Sequence, residues 1–129
     1  MYEFNTTINQ PFEEAVETVK AVLMENQLGI VSEVNVQGIF KNKMDKDIPA
    51  YRIFGACNPK LADRVIGDEP NAGVLLPCNF IMRETDEGTV VSFMDPETIM
   101  NLTDSDAAKE VGKEAKAKLQ GVIAQLEQA

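Results

Sequence analysis

Two dipeptides, Cys57-Asn58 and Cys78-Asn79, are where side-chain type and spacing in this chain invite chemistry. A cysteine acts as nucleophile, redox group or metal ligand through its thiolate, so its surroundings decide what it can do. Cys57 ends an apolar stretch, and Asn58-Pro59 carries the signature of a helix start: an N-cap followed by proline at the first helical position. The free N–H groups and the dipole of that helix favour a thiolate, and Arg52, Lys60 and Arg64 are near enough in sequence to add positive charge. Cys57 is therefore the expected reactive thiol, or one wall of an anion-binding pocket. The plainer alternative is that Cys57 is a small buried hydrophobe and Asn58 only a cap. Cys78 follows Pro77 within an apolar run, where burial would raise its pKa. If the two strands are neighbours, the pair is a candidate redox couple, with Cys78 as resolving thiol, or a soft-metal pair of the Cu(I) type. Asn58 and Asn79 either hydrogen-bond a ligand or tie the turns at Pro59 and Pro77. The candidate catalytic residues are Cys57 and Cys78. The candidate ligand-binding set is Arg52, Cys57, Asn58, Cys78 and Asn79.

What the chain lacks narrows the chemistry. It has no histidine, hence no ready base for a Cys–His or Ser–His pair and none of the commonest metal ligand. Two cysteines alone cannot complete a Cys₄ or Cys₂His₂ zinc site, so no metal is expected. No residue pattern names a cofactor: there is no phosphate loop and no G-x-G-x-x-G. Glu13-Glu14, Asp68-Glu69 and Asp86-Glu87 are adjacent carboxylates in segments that read as exposed.

The chain has 129 residues, one domain's length, and folding at that size removes enough surface for a real core. The net charge of −9 is spread along it, and no segment has a basic excess. Phosphate neutralisation has no obvious source, which argues against a nucleic-acid partner and against anionic membrane surfaces. No apolar run approaches the ~20 residues of a membrane span, and the first residues do not resemble a signal peptide. A cytoplasmic location is expected, where two cysteines stay as thiols.

The elements that must position the cysteines read as follows. Tyr2 to Ile8 alternates as a half-buried strand. Pro11 opens a helix with an inner face of Phe12, Ala15, Val16, Val19 and Leu23, which Gly29 caps. Ile30 to Asn35 is a strand, and Val36 to Met44 a short helix capped by Asn35. Ala50 to Cys57 is a central strand in which Gly55 lets another element approach closely. A helix runs from Asn58-Pro59 to Gly67, and residues 68–71 form a loop. Gly73 to Arg83 reads as one long strand interrupted at Pro77. Asp86-Glu87-Gly88 turns it back into Thr89 to Met94, and Asp95-Pro96 ends that strand. The last helix starts between Thr103 and Ser105 and reaches Leu126, with a stripe of Val111, Ala115, Leu119, Val122 and Leu126 and small residues at Ala108, Gly112 and Gly121. This pattern predicts an α+β fold with an antiparallel or mixed sheet and helices mainly on one face. The last helix is expected to pack on that sheet.

Gly55-Ala56-Cys57-Asn58-Pro59 and Leu76-Pro77-Cys78-Asn79, in that order and about twenty residues apart, resemble domain-of-unknown-function family 302. Phe12-Glu13-Glu14-Ala15, Gly29-Ile30, Ala62 and Glu69-Pro70 support the likeness, which covers nearly the whole chain, residues 1–129 as a single domain. The resemblance implies a compact α+β architecture similar to that of the TATA-box-binding protein, without DNA binding. It implies a place to look, residues 55–59 and 76–79, and no reaction.

Three functions remain open. The first is a non-catalytic module that binds a small ligand near the two cysteine segments. The second is a thiol-dependent enzyme or redox protein using Cys57 with Cys78. The third is an assembly module, as a homodimer through an exposed sheet edge or through the last helix.

Overall fold

The computed structural model describes residues 1–128. Five strands, β1 (Glu3–Ile8), β2 (Gly29–Asn35), β3 (Tyr51–Cys57), β4 (Cys78–Thr85) and β5 (Gly88–Met94), form one sheet in the order β1-β5-β4-β3-β2. Every neighbouring pair is antiparallel. Alternation along the strands sorts the side chains into two faces. Phe54 pairs with Phe80, Phe80 with Phe93 and Met82 with Val91, so these residues share one face, and all are buried. The ring centroids of Phe54 and Phe80 are 4.9 Å apart and those of Phe80 and Phe93 are 5.0 Å apart. Each such ring, fully buried, stabilises the fold by roughly 1.5–3 kcal/mol.

That face is covered by α1 (Phe12–Glu25) and α5 (Asp106–Glu127). Phe12, Ala15, Val16, Val19 and Leu23 of α1 are buried, as the helical spacing predicts. So are Val111, Ala115, Leu119, Val122 and Leu126 of α5. The stripe of the last helix is thus buried within the chain. The opposite face carries Ile53, Asn79, Ile81, Arg83 and Ser92, none of them buried.

A second, smaller core lies beside one end of the sheet. It joins α3 (Pro59–Asp68), a 3-10 helix (Pro70–Leu75), α4 (Pro96–Met100) and the first half of α5, through Val65, Ala72, Met100, Ala108 and Val111. A Cβ on Gly112 would lie 2.9 Å from both Met100 Cβ and Pro96 O, so only glycine lets α4 and α5 meet here. The remaining helix, α2 (Val36–Met44), has Asn35 as its cap, with the Asn35 side chain accepting from Gly38 N.

Four expectations change. Gly29 does not cap α1: Gln27 takes the left-handed conformation (φ 64°), and Gly29 begins β2. Pro11 stands just before α1 rather than within it. The long strand from Gly73 does not form, because Glu69-Pro70 starts the 3-10 helix and β4 begins only at Cys78. Asp95-Pro96 not only ends β5 but also starts α4, the Asp95 carboxylate accepting from Glu97 N (3.0 Å) and Thr98 N (3.3 Å). The last two share a cause. An acceptor side chain before proline is a helix start, as at Asn58-Pro59.

Candidate functional site

Leu76-Pro77-Cys78-Asn79 enters the sheet where the two faces diverge. A methyl at Gly55 would overlap the Pro77 ring and the Ser32 hydroxyl, so the glycine is what lets that loop close over β3. Ala56 pairs with Cys78 in the β3–β4 ladder, and Gly55 pairs with Asn79. Ala56 is on the helix-covered face, so Cys78 turns inward and Asn79 turns outward.

Inward lies a narrow cavity of about 20 Å³ lined by Cys57, Cys78 and Met100, among apolar side chains that include Leu28, Leu61 and Val111. It is lined from β3, β4, α3, α4 and α5, and its wall is almost wholly apolar. Its size suits a single water or ion. Both cysteines are free thiols and partly buried. Burial pushes the Cys57 thiol up from its ordinary range. Burial, and to a lesser degree the neighbouring Cys57, pushes Cys78 up to about 11.

Burial therefore acts on Cys57 against a thiolate, and the start of α3 is engaged locally. The N–H groups of Lys60 and Leu61 at the start of α3 donate to Asn58 Oδ1, at 3.0 and 3.2 Å. Asn58 Nδ2 in turn donates to Gln27 O at 3.1 Å, which ties α3 to the turn after α1. The arginines are elsewhere. Arg52, at the other end of β3, pairs with Glu13 and with Glu33 (3.3 Å), and its guanidinium lies 5.1 Å from the centroid of Phe12. Arg64 pairs with Glu114 at 2.6 Å.

Outward, Asn79 borders a groove of about 390 Å³ on the uncovered face. Ile81, Val90 and Met94 give it an apolar floor. Tyr51 and Arg83, register partners across β3 and β4, stand on one side, and Glu3 and Ser92 on the other. Ser92 Oγ donates to Glu3 at 2.6 Å and Asn5 Nδ2 donates at 2.9 Å, and these bonds hold the Glu3 carboxyl below its usual range. Arg83 makes no ion pair among the described residues, unlike Arg52 and Arg64.

Of the five residues singled out from sequence, the fold gathers Cys57, Asn58 and Cys78 around the cavity, places Asn79 on the other face and leaves Arg52 at the far end of its strand. Met100, Tyr51, Glu3, Ser92 and Arg83 were not singled out. For Arg83 the period-two alternation from Asn79 was the available signal; for Met100 there was none, since α4 was not anticipated.

The family model described as "Domain of unknown function DUF302" matches residues 4–126. This chain belongs to the DUF302 family. A DUF302 crystal structure, that of an uncharacterized conserved protein from Bacillus stearothermophilus, is similar to it over 98% of both chains at 19% identity, with a TM-score of 0.89. At that identity the likeness concerns the fold. No curated protein matches this DUF302 chain. Among its described residues no helix is long and apolar enough to cross a membrane.

Proposed function

We propose that this chain is a non-catalytic binding module whose small-molecule ligand lies on the uncovered face of the sheet, in the groove beside Asn79. The observation that carries this reading is Arg83: a guanidinium without a carboxylate partner among the described residues, at the rim of a groove with an apolar floor. A volume of about 390 Å³ is within the usual range for small-ligand sites, roughly 300–1,000 Å³. Glu3 and Arg83 are two strands and four residues apart in register, about 16 Å between Cα atoms from standard strand spacing and rise. The ligand that suits this arrangement is an extended amphipathic molecule. Its carboxylate pairs with Arg83, its apolar body covers Ile81, Val90 and Met94, and a donor group at its other end meets Glu3.

The thiol-dependent reading has less support. Both thiols are pushed up by burial, and the helix N–H groups that would stabilise a Cys57 thiolate are bonded to Asn58. Amide chemical shifts of the labelled protein, followed during addition of ε-aminocaproate, caproate or hexylamine, test the binding reading. Perturbation of residues 79–83 and 90–94 supports it; no response to any of the three at millimolar concentration counts against it.

A second reading concerns assembly. Strand β2 is an edge of the sheet, and Val31 and Val34 on it are 62% and 42% exposed. An edge of this kind is a template for a second copy, although the register shift between Ile30 and Ser32 blunts it. Sedimentation across a concentration series, with Val31→Lys as the disrupting variant, measures whether it is used.

A further inference from the structure

The inward cavity has a property that neither its position nor its size explains. Three sulfur-bearing residues from three separate elements line it: Cys57 at the end of β3, Cys78 at the start of β4 and Met100 at the end of α4. We propose that this cavity is a binding site for a single soft monovalent cation, Cu(I), held by the Cys57 and Cys78 thiolates and the Met100 thioether.

The donor set selects the ion. Hard cations such as Mg²⁺ and Ca²⁺ need several oxygens, and this wall is almost wholly apolar. Asn58, its polar side chain, has both ends engaged, Oδ1 by Lys60 N and Leu61 N and Nδ2 by Gln27 O. A structural Zn²⁺ site takes four nitrogen, sulfur or carboxylate ligands, and no group of three or more His, Cys, Asp or Glu that could hold a metal occurs among the described residues. Thiolate and thioether are soft ligands that suit Cu(I), which does not need the four-ligand set of Zn²⁺. Space agrees with chemistry: about 20 Å³ has room for a single ion.

The space is built by small residues. Gly112 and Ala115 of α5 line the cavity, and Gly112 is what allows Met100 to lie against α5. Met100 itself is buried, 1% exposed, so its sulfur is held within the protein rather than free in solvent. Cys57 stands at the strand end beside the start of α3.

Loading is an exchange without oxidation or reduction. Two S–H bonds are given up, two Cu–S bonds form with the thiolates, Met100 contributes a lone pair, and two protons leave to solvent.

The test is anaerobic titration of the reduced chain with Cu(I) in competition with bicinchoninate, followed by X-ray absorption at the copper edge. The expected result is one equivalent withdrawn from the chelator, with a first shell of sulfur alone. Cys57→Ser and Cys78→Ser should each weaken binding by more than the roughly 10–100-fold cost of losing an outer-shell partner. Met100→Leu keeps the volume of the side chain and should weaken it about 10-fold while leaving the circular dichroism spectrum unchanged. Copper left entirely with the chelator would overturn the proposal. So would binding that survives both Cys78→Ser and Met100→Leu, which would assign the ion to surface sulfur, or a first shell containing nitrogen or oxygen.

Discussion

Cys78 and Asn79 are consecutive in sequence yet open onto opposite sides of the sheet, Cys78 onto the sulfur-lined cavity and Asn79 onto the uncovered groove. The register explains it. Cys78 is opposite Ala56, whose side chain is wholly buried, and Asn79 is opposite Gly55. One short segment therefore supplies a wall to each of two unrelated spaces.

The thiol at Cys78 makes alkaline stability a measure of its burial. Its pKa is raised from 9.0 to about 11 in the folded chain, so folding favours the neutral thiol. The contribution is fully present below about pH 9 and is lost as pH rises through the folded value. In full it amounts to about 2–3 kcal/mol. Urea unfolding at pH 8 and pH 11 should show wild type losing about 2 kcal/mol more than Cys78→Ala. Equal losses would mean that the thiol is solvated.

Asp95 is expected to be the costliest acid to remove. Its side chain is buried, caps α4 and meets Lys116 Nζ at 2.9 Å. Burial alone would raise its pKa, but Lys116 and the N–H groups of Thr98 and Glu97 outweigh that and lower it. Asp95→Ala should lower stability by about 2 kcal/mol at neutral pH, from the lost cap and the lost ion pair with Lys116, which keeps only Glu97 at 3.5 Å. A depressed carboxyl pKa stabilises above its unfolded value and stops doing so as pH falls through the folded one. The gap between wild type and variant should thus close below about pH 4. A gap that persists in acid would show that the capping geometry, rather than the charge, is responsible.

Gly55→Ala tests how tightly the Pro77 loop sits on β3. The added methyl overlaps the Pro77 ring and the Ser32 hydroxyl, and the expected cost is about 1–3 kcal/mol. Ser32→Ala and Pro77→Ala together in the same chain should recover most of it. No change on Gly55→Ala alone would mean that the loop moves freely.

Much of this fold was legible from sequence, and the failures are physical ones. Asn35 and Asn58 were recognisable as caps because each precedes an apolar helical pattern. The same logic at Glu69-Pro70 and Asp95-Pro96 was masked by flanking strand-like residues, so a 3-10 helix and α4 were missed. The inner faces of α1 and α5 followed from periodicity alone. The site was harder, because a shared face depends on register. Cys57 next to a helix start suggested a thiolate, but the Asn58 cap legible in the same segment takes those N–H groups on its Oδ1. Arg52 is close to Cys57 in sequence and is bound instead to Glu13, from a helix nearly forty residues earlier.

The binding reading is tested most directly at Arg83. Amide shifts recorded while ε-aminocaproate is added to wild type and to Arg83→Gln give both the location and the strength of binding. The expected result is perturbation centred on Tyr51, Asn79, Ile81, Arg83 and Ser92 in wild type, with affinity about 10-fold or more lower in Arg83→Gln, as for loss of one charge-assisted hydrogen bond. Caproate and hexylamine, each lacking one end group, should bind more weakly than ε-aminocaproate. Shifts scattered over the surface, or an affinity unchanged by Arg83→Gln, would contradict it.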